Sequence, residues 1–186
     1  MKILDLYKKL NNEQIEKWNR SLPIQDTIDD RWKRAKLLGF GKGTSIYNSS
    51  FVFGKIEVGE NTWIGPNVLL DGYAEKLKVG NYCSISAGVQ MYTHDSIDWA
   101  LSGGKYSYTK ASILIGNNNH IGSLSVILPG TRIGSYCVIG ANSVVKGRIK
   151  DYSIYAGTPA TKIGFVTFKN NKPIMNFSKD GSLETI

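Results

Sequence analysis

The chain has 186 residues, a formal net charge of +8 at pH 7 and 41% hydrophobic residues. That suits one globular unit with a small appendage, and no apolar run approaches the roughly 18 residues that span a membrane, so no transmembrane segment is expected. The start, Met1-Lys2-Ile3-Leu4-Asp5, lacks an apolar signal core, so the expected address is cytoplasmic; the positive charge comes without a helix-turn-helix or an aromatic–basic stripe, so no nucleic-acid partner is expected.

Residues 1–39 read as a helical segment. Ile3, Leu6, Tyr7 and Leu10 space as one apolar stripe, and a second helix is expected to start at Thr27, with Asp30 completing a capping box. From residue 40 a different period takes over. Aliphatic residues recur every six positions at Ile46, Val52, Val58, Ile64 and Leu70, resume after a three-residue slip at Val79, Ile85 and Met91, and return from Ile115 through Ile121, Ile127, Ile133 and Ile139 to Val145. Four positions after each aliphatic stand small or β-branched residues, among them Thr62, Val68, Ala74, Cys83, Val89, Ser125, Thr131, Cys137 and Ser143.

A six-residue unit supplies one short strand and one tight turn, so three units make a triangular coil of roughly 18 residues. The aliphatic and the small residue point inward and stack on their counterparts in neighbouring coils, so stability is cooperative along the stack. The glycines that follow the aliphatics, such as Gly59, Gly122 and Gly134, are expected to serve the corners. Cys83 and Cys137 fall on inward small positions and read as reduced core thiols. The fold expected is an all-β solenoid, a left-handed parallel β-helix over residues 40–165, with the helical segment as its cap. Residues 97–112 interrupt the repeat as one long extruded loop that keeps the register, and residues 166–186 form a tail.

The repeat, its single long interruption, Ile115-Gly116-Asn117-Asn118-Asn119-His120-Ile121-Gly122-Ser123 and the closing Gly157-Thr158-Pro159-Ala160 resemble the hexapeptide-repeat acetyltransferases. Within them the pattern is similar to the maltose, galactoside and surface-polysaccharide O-acetyltransferase group. That resemblance implies acetyl-CoA as co-substrate, a homotrimer holding it in the groove between neighbouring prisms, and a histidine near the long loop as general base. It implies a sugar or nucleotide-sugar as the acceptor.

His94, in Met91-Tyr92-Thr93-His94-Asp95-Ser96, is the expected catalytic base. It stands three residues after an inward aliphatic, at the root of the loop, and an unperturbed imidazole titrates at about 6.5, suited to taking a hydroxyl proton. The maltose and galactoside members carry their histidine two positions later, where this chain has Ser96; both positions flank Asp95, read as inward. Asp98 and Trp99 in the loop are expected to bind the acceptor. The resemblance assigns acetyl-CoA contacts to His120, where the family usually has tryptophan, to Ser123 and Ala141, and to Lys146 and Lys162 as partners of phosphate.

A zinc enzyme on the same fold, the γ-type carbonic anhydrase, needs three histidines; His94 and His120 are the two this chain has, so no metal is expected. Two readings stay open beside sugar O-acetylation: N-acetylation of a nucleotide-linked amino sugar, and a non-catalytic scaffold.

Overall fold

In the computed structural model, which describes residues 2–179 and 182–185, helices α1 (Ile3–Trp18), α2 (Ile24–Ile28) and α3 (Arg31–Leu37) precede the strands. No residue of α1 is buried, and it is tied to the following turn by polar contacts: the Tyr7 hydroxyl donates to the Leu22 carbonyl, and the side-chain oxygens of Asn11 and Gln14 accept from Ser21 and Arg20. The second helix does not start at Thr27. Thr27 lies inside α2, where its hydroxyl donates to the carbonyls of Leu22 and Pro23. Asp30 is itself a cap, for α3: its carboxylate accepts from the backbone N–H groups of Trp32 and Lys33, two of the four donors an N-terminal helical turn leaves unpaired. The segment docks on the first coil through Arg34, which donates to the carbonyls of Tyr47 and Ser50, and through Asp26, which accepts from Ser49 N. Burial pulls the Arg34 guanidinium below its ordinary range, and the carboxylates of Asp26 and Asp29 oppose that shift.

The strands build a left-handed parallel β-helix. One face stacks Ser45–Ile46, Trp63–Ile64, Ser84–Ile85, His120–Ile121 and Val138–Ile139, and its inward line is Ile46, Ile64, Ile85, Ile121 and Ile139. The second face carries the line Val52, Leu70, Met91, Ile127 and Val145. The third carries Val58, Val79, Ile115, Ile133 and Ile149. Strands Phe51–Val58 and Leu69–Val79 bend round the edge between second and third faces and serve both. Except for Ile149, which lies four residues beyond the last predicted member Val145, the aliphatic lines are the predicted ones, and nearly all their members are buried.

The three-residue slip is a bulge at that bend, and it changes one inward assignment. Ala74 is only half-buried there, and the fully buried Leu77 takes the inward place, in register with Ile56 and Ile113. Cys83 and Cys137 are free and buried, and burial pushes both thiols up, which keeps them protonated. Between them in the stack stands Asn119, an inward polar residue whose bonds are met by the next coil: its amide donates to Gly134 O at 2.7 Å and accepts from Cys137 N at 2.7 Å.

The glycines after the aliphatics serve packing rather than turn geometry. Gly122 has no left-handed φ, yet a Cβ there would lie 2.5 Å from Ala141 N in the coil above. The left-handed positions along the edge between third and first faces are Asn61, Tyr82, Asn118, Tyr136 and Tyr152. The insertion folds as helix α4 (Ile97–Leu101) and the short strand Thr109–Lys110, paired antiparallel with His94–Asp95. Over the segment read as a tail, Ala160–Lys169, Lys172–Lys179 and Ser182–Thr185 extend the first face as antiparallel strands. Residues 180, 181 and 186 of that segment lie outside the described residues.

Candidate functional site

The chain leaves the second face at Thr93. That residue is fully buried, and both its backbone N–H and its hydroxyl donate to the Asp71 carbonyl of the coil below. Thr93, not Asp95, is therefore the inward residue after Met91. Asp95 is half-buried outside the prism, where its carboxylate accepts from Ile97 N and starts α4. The double anchor at Thr93 sets the next residue, His94, over the Asp71 side chain.

Asp71 is 7% exposed. One of its oxygens accepts from Tyr73 N at 3.0 Å, and the other lies 3.2 Å from His94 Nδ1. Nδ1 is buried, and this contact is an ionic approach without hydrogen-bond alignment. A carboxylate on that side favours a proton on Nδ1, which leaves the Nε2 lone pair as the nitrogen that meets an acceptor. The outer surface of the imidazole stacks on Tyr108, with centroids 6.1 Å apart and planes at 9°, and Trp99 meets Tyr108 edge-on at 5.8 Å. Asp98 is exposed and lies 3.4 Å from the Thr109 hydroxyl. His94, Asp98 and Trp99 thus come together around Tyr108. Ser96 is exposed at the start of α4.

Sequence reasoning missed Asp71 and Tyr108. Asp71 stands at an outward repeat position, one after the inward Leu70, and an acid there reads as solvated; its burial comes from the loop root folding over it. Tyr108 sits in a stretch without periodicity, and no sequence signal marks it.

The expected acetyl-CoA residues divide between other parts of the prism. Ser123 and Ala141 follow one another up the edge between first and second faces, where Ser123 O accepts from Asn142 N at 2.8 Å; Thr158 of the closing motif continues that edge, its hydroxyl 3.3 Å from Asn142 O. His120 projects from the first face beside a groove of about 290 Å³ lined by Tyr136, Val138, Val166, Phe168 and Pro173. Burial there holds its imidazole below the usual range, so it is a neutral ring at neutral pH. Lys146 is exposed on the edge that also carries His94, and Lys162 is exposed on the strand Ala160–Lys169. Within one chain the His94 cluster and the Ser123–Ala141 edge are separated by the whole second face. Among the described residues no group of three metal-ligating side chains occurs, and no helix is long and apolar enough to cross a membrane.

Residues 112–147, which run through the third to fifth coils, match the family model described as bacterial transferase hexapeptide (six repeats). Over those residues the chain carries the hexapeptide repeat of that family. Among curated members, a chloramphenicol acetyltransferase of Klebsiella aerogenes is 33% identical over 107 residues, covering 48% of this chain and 51% of that protein. WbbJ of Escherichia coli, named for O-acetyl transfer in lipopolysaccharide biosynthesis, is 44% identical over 50 residues, 27% of this chain and 26% of WbbJ. The chain spans about half the length of the first of these, and a quarter of the second. Among solved structures, the hexapeptide-repeat-containing acetyltransferase VCA0836 of Vibrio cholerae aligns with 88% of this chain and 92% of its own, at 27% identity and a TM-score of 0.66. VCA0836 has also been solved with acetyl coenzyme A, a structure that aligns at 26% identity with a TM-score of 0.62. The N-acyltransferase AntD of Bacillus cereus, solved with dTDP and coenzyme A, shares the fold at 23% identity and a TM-score of 0.61, over 72% of this chain and 88% of AntD.

Proposed function

We propose that this hexapeptide-repeat protein is a cytoplasmic acetyl-CoA-dependent acetyltransferase that moves an acetyl group to a hydroxyl of a sugar in surface-polysaccharide biosynthesis. The observation that carries the reading is the His94–Asp71 pair beneath the aromatic loop. A sugar hydroxyl is a weak nucleophile, and a positioned imidazole with a free Nε2 is the group that makes it competent. VCA0836, bound to acetyl-CoA on the same scaffold, supports the donor. WbbJ, named for O-acetyl transfer, supports a hydroxyl acceptor.

The chemistry then runs as direct transfer. Nε2 of His94 takes the hydroxyl proton as the oxygen bonds to the thioester carbonyl carbon, and Asp71 stabilises the imidazolium that forms. Collapse of the tetrahedral intermediate breaks the carbon–sulfur bond, and the imidazolium returns its proton to the departing thiolate. The products are an acetyl ester and free coenzyme A. Trp99 and Tyr108 offer ring faces to the sugar, and Asp98 offers it a hydrogen-bond acceptor.

The donor residues reach this site from a neighbouring copy. The second face, which separates the His94 cluster from the Ser123–Ala141 edge, is largely apolar outside: Phe51, Leu69, Val126 and Val144 stand in one outward line broken by Gln90, and Phe51, about half exposed, stacks on Phe53. A homotrimer covers that face and sets the Ser123–Ala141 edge of one chain, with His120 and Lys162, against the His94 cluster of the next, whose own edge carries Lys146.

The test is thiol release from acetyl-CoA with a panel of neutral sugars, amino sugars and nucleotide-linked sugars. The expected result is turnover with a hydroxyl acceptor. Turnover confined to amines would replace the hydroxyl by a nitrogen nucleophile and remove the need for His94 as base.

A further inference from the structure

The third face carries a row of cations on its outer side. Arg132 and Arg148 are direct register partners on neighbouring parallel strands, and both are exposed. Strands in a sheet lie about 4.8 Å apart, so the two side chains leave the sheet side by side. Like charges placed directly opposite disfavour the pairing of their strands. Lys78 lies two strands below Arg132 in the same row, beyond Leu114. Lys150, also exposed, borders the same shallow depression of about 630 Å³.

Glu57 and Asp151 are the acids beside the row, and Asp151 borders the same depression. Glu57 pairs with Lys76 at 2.6 Å and with Lys78 at 3.9 Å, and one oxygen of Asp151 accepts from Ser135 N at 2.8 Å. Among the described residues, Arg132, Arg148 and Lys150 have no ion pair. The resemblance offers Arg148 and Lys150 to coenzyme A phosphates and leaves Arg132 without a role.

The row begins next to the His94 loop. Ala111, at the end of that loop, donates its N–H to Thr93 O and lies against Gly130 on the edge between second and third faces. Arg132 is two residues further along the strand, about 7 Å.

We propose that Arg132 and Arg148 bind the diphosphate of a sugar acceptor, and that the acceptor is a diphosphate-linked sugar rather than a finished neutral glycan. Two planar guanidinium groups one strand spacing apart match two linked phosphates, each able to accept a forked pair of hydrogen bonds. The bound anion cancels the repulsion between them, and the sugar it carries then points back along the face to His94. The inference rests on the acyl-transfer reading for the identity of the sugar. The anion site itself stands on the cation row alone. Coenzyme A also carries a diphosphate, so the test separates the two sources.

Inorganic pyrophosphate is titrated calorimetrically into the full chain, with and without saturating acetyl-CoA, for the native protein and Arg132→Gln/Arg148→Gln. Pyrophosphate should bind in both conditions, and the double variant should lose about tenfold per guanidinium removed, roughly a hundredfold together. Its melting temperature at low salt should be equal to or above that of the native chain, because a repulsion has been removed. KM for a diphosphate-linked sugar should rise while that for acetyl-CoA is unchanged. Equal pyrophosphate affinity in the two proteins would overturn the proposal, as would pyrophosphate binding that vanishes once acetyl-CoA is bound. A protein that binds pyrophosphate through these arginines but never binds acetyl-CoA would keep the anion site and discard the transfer reading.

Discussion

Ile133→Asp should abolish the cooperative fold. Ile133 is 3% exposed and stacks between Ile115 and Ile149 on the inner side of the third face. A carboxylate there has no polar partner within the aliphatic line. Burying it unpaired costs several kcal/mol or more, against a total stability of about 5–15 kcal/mol for an ordinary domain. The coil cannot turn the residue outward without shifting its register by one, which would expose every inward side chain of that strand. The expected readout is loss of the melting transition and of soluble expression. A cooperative melt close to that of the native chain would mean that the inward register is misassigned.

His94→Asn should leave the fold and acetyl-CoA binding nearly intact and cut turnover by about 10²- to 10⁴-fold, the usual worth of a general base. Asparagine keeps the size of the ring's inner half but cannot accept the hydroxyl proton. The loss belongs in kcat more than in KM if the imidazole acts only in the transition state. Asp71→Asn should give a smaller loss in kcat, because asparagine can still touch Nδ1 but no longer stabilises the imidazolium. Ser96→Ala and Asp98→Asn should be milder than His94→Asn. Full activity in His94→Asn would remove the base assignment and favour an amine acceptor that attacks unaided.

The solenoid was legible because its information is periodic. Ile121, Ile127 and Ile133 each announce an inward position six residues from the last, and the structure stacks each on its partner in the next coil. Where the period breaks, reading failed for a physical reason. At the bulge in Leu69–Val79 the chain adds residues on the outside of a bend, so counting by six landed on Ala74 while Leu77 turned inward. At the loop root the chain departs after Thr93, and counting on made Asp95 inward although it lies beyond the prism. The histidine at that root was readable from its place beside the interruption. Its carboxylate partner was not, because Asp71 and His94 are neighbours only through the stacking of one coil on another. The helical segment shows the same limit: Asp30 was recognised as a capping residue, but the helix it caps starts immediately after it.

The most direct measurement is a calorimetric titration of acetyl-CoA into the native protein, with a melting curve at saturation. Saturable binding is expected, with a stabilisation of about 2.7 kcal/mol when the ligand stands at a hundred times its dissociation constant. No heat and no shift in melting temperature at millimolar acetyl-CoA would contradict the acetyltransferase reading and leave the prism as a binding scaffold.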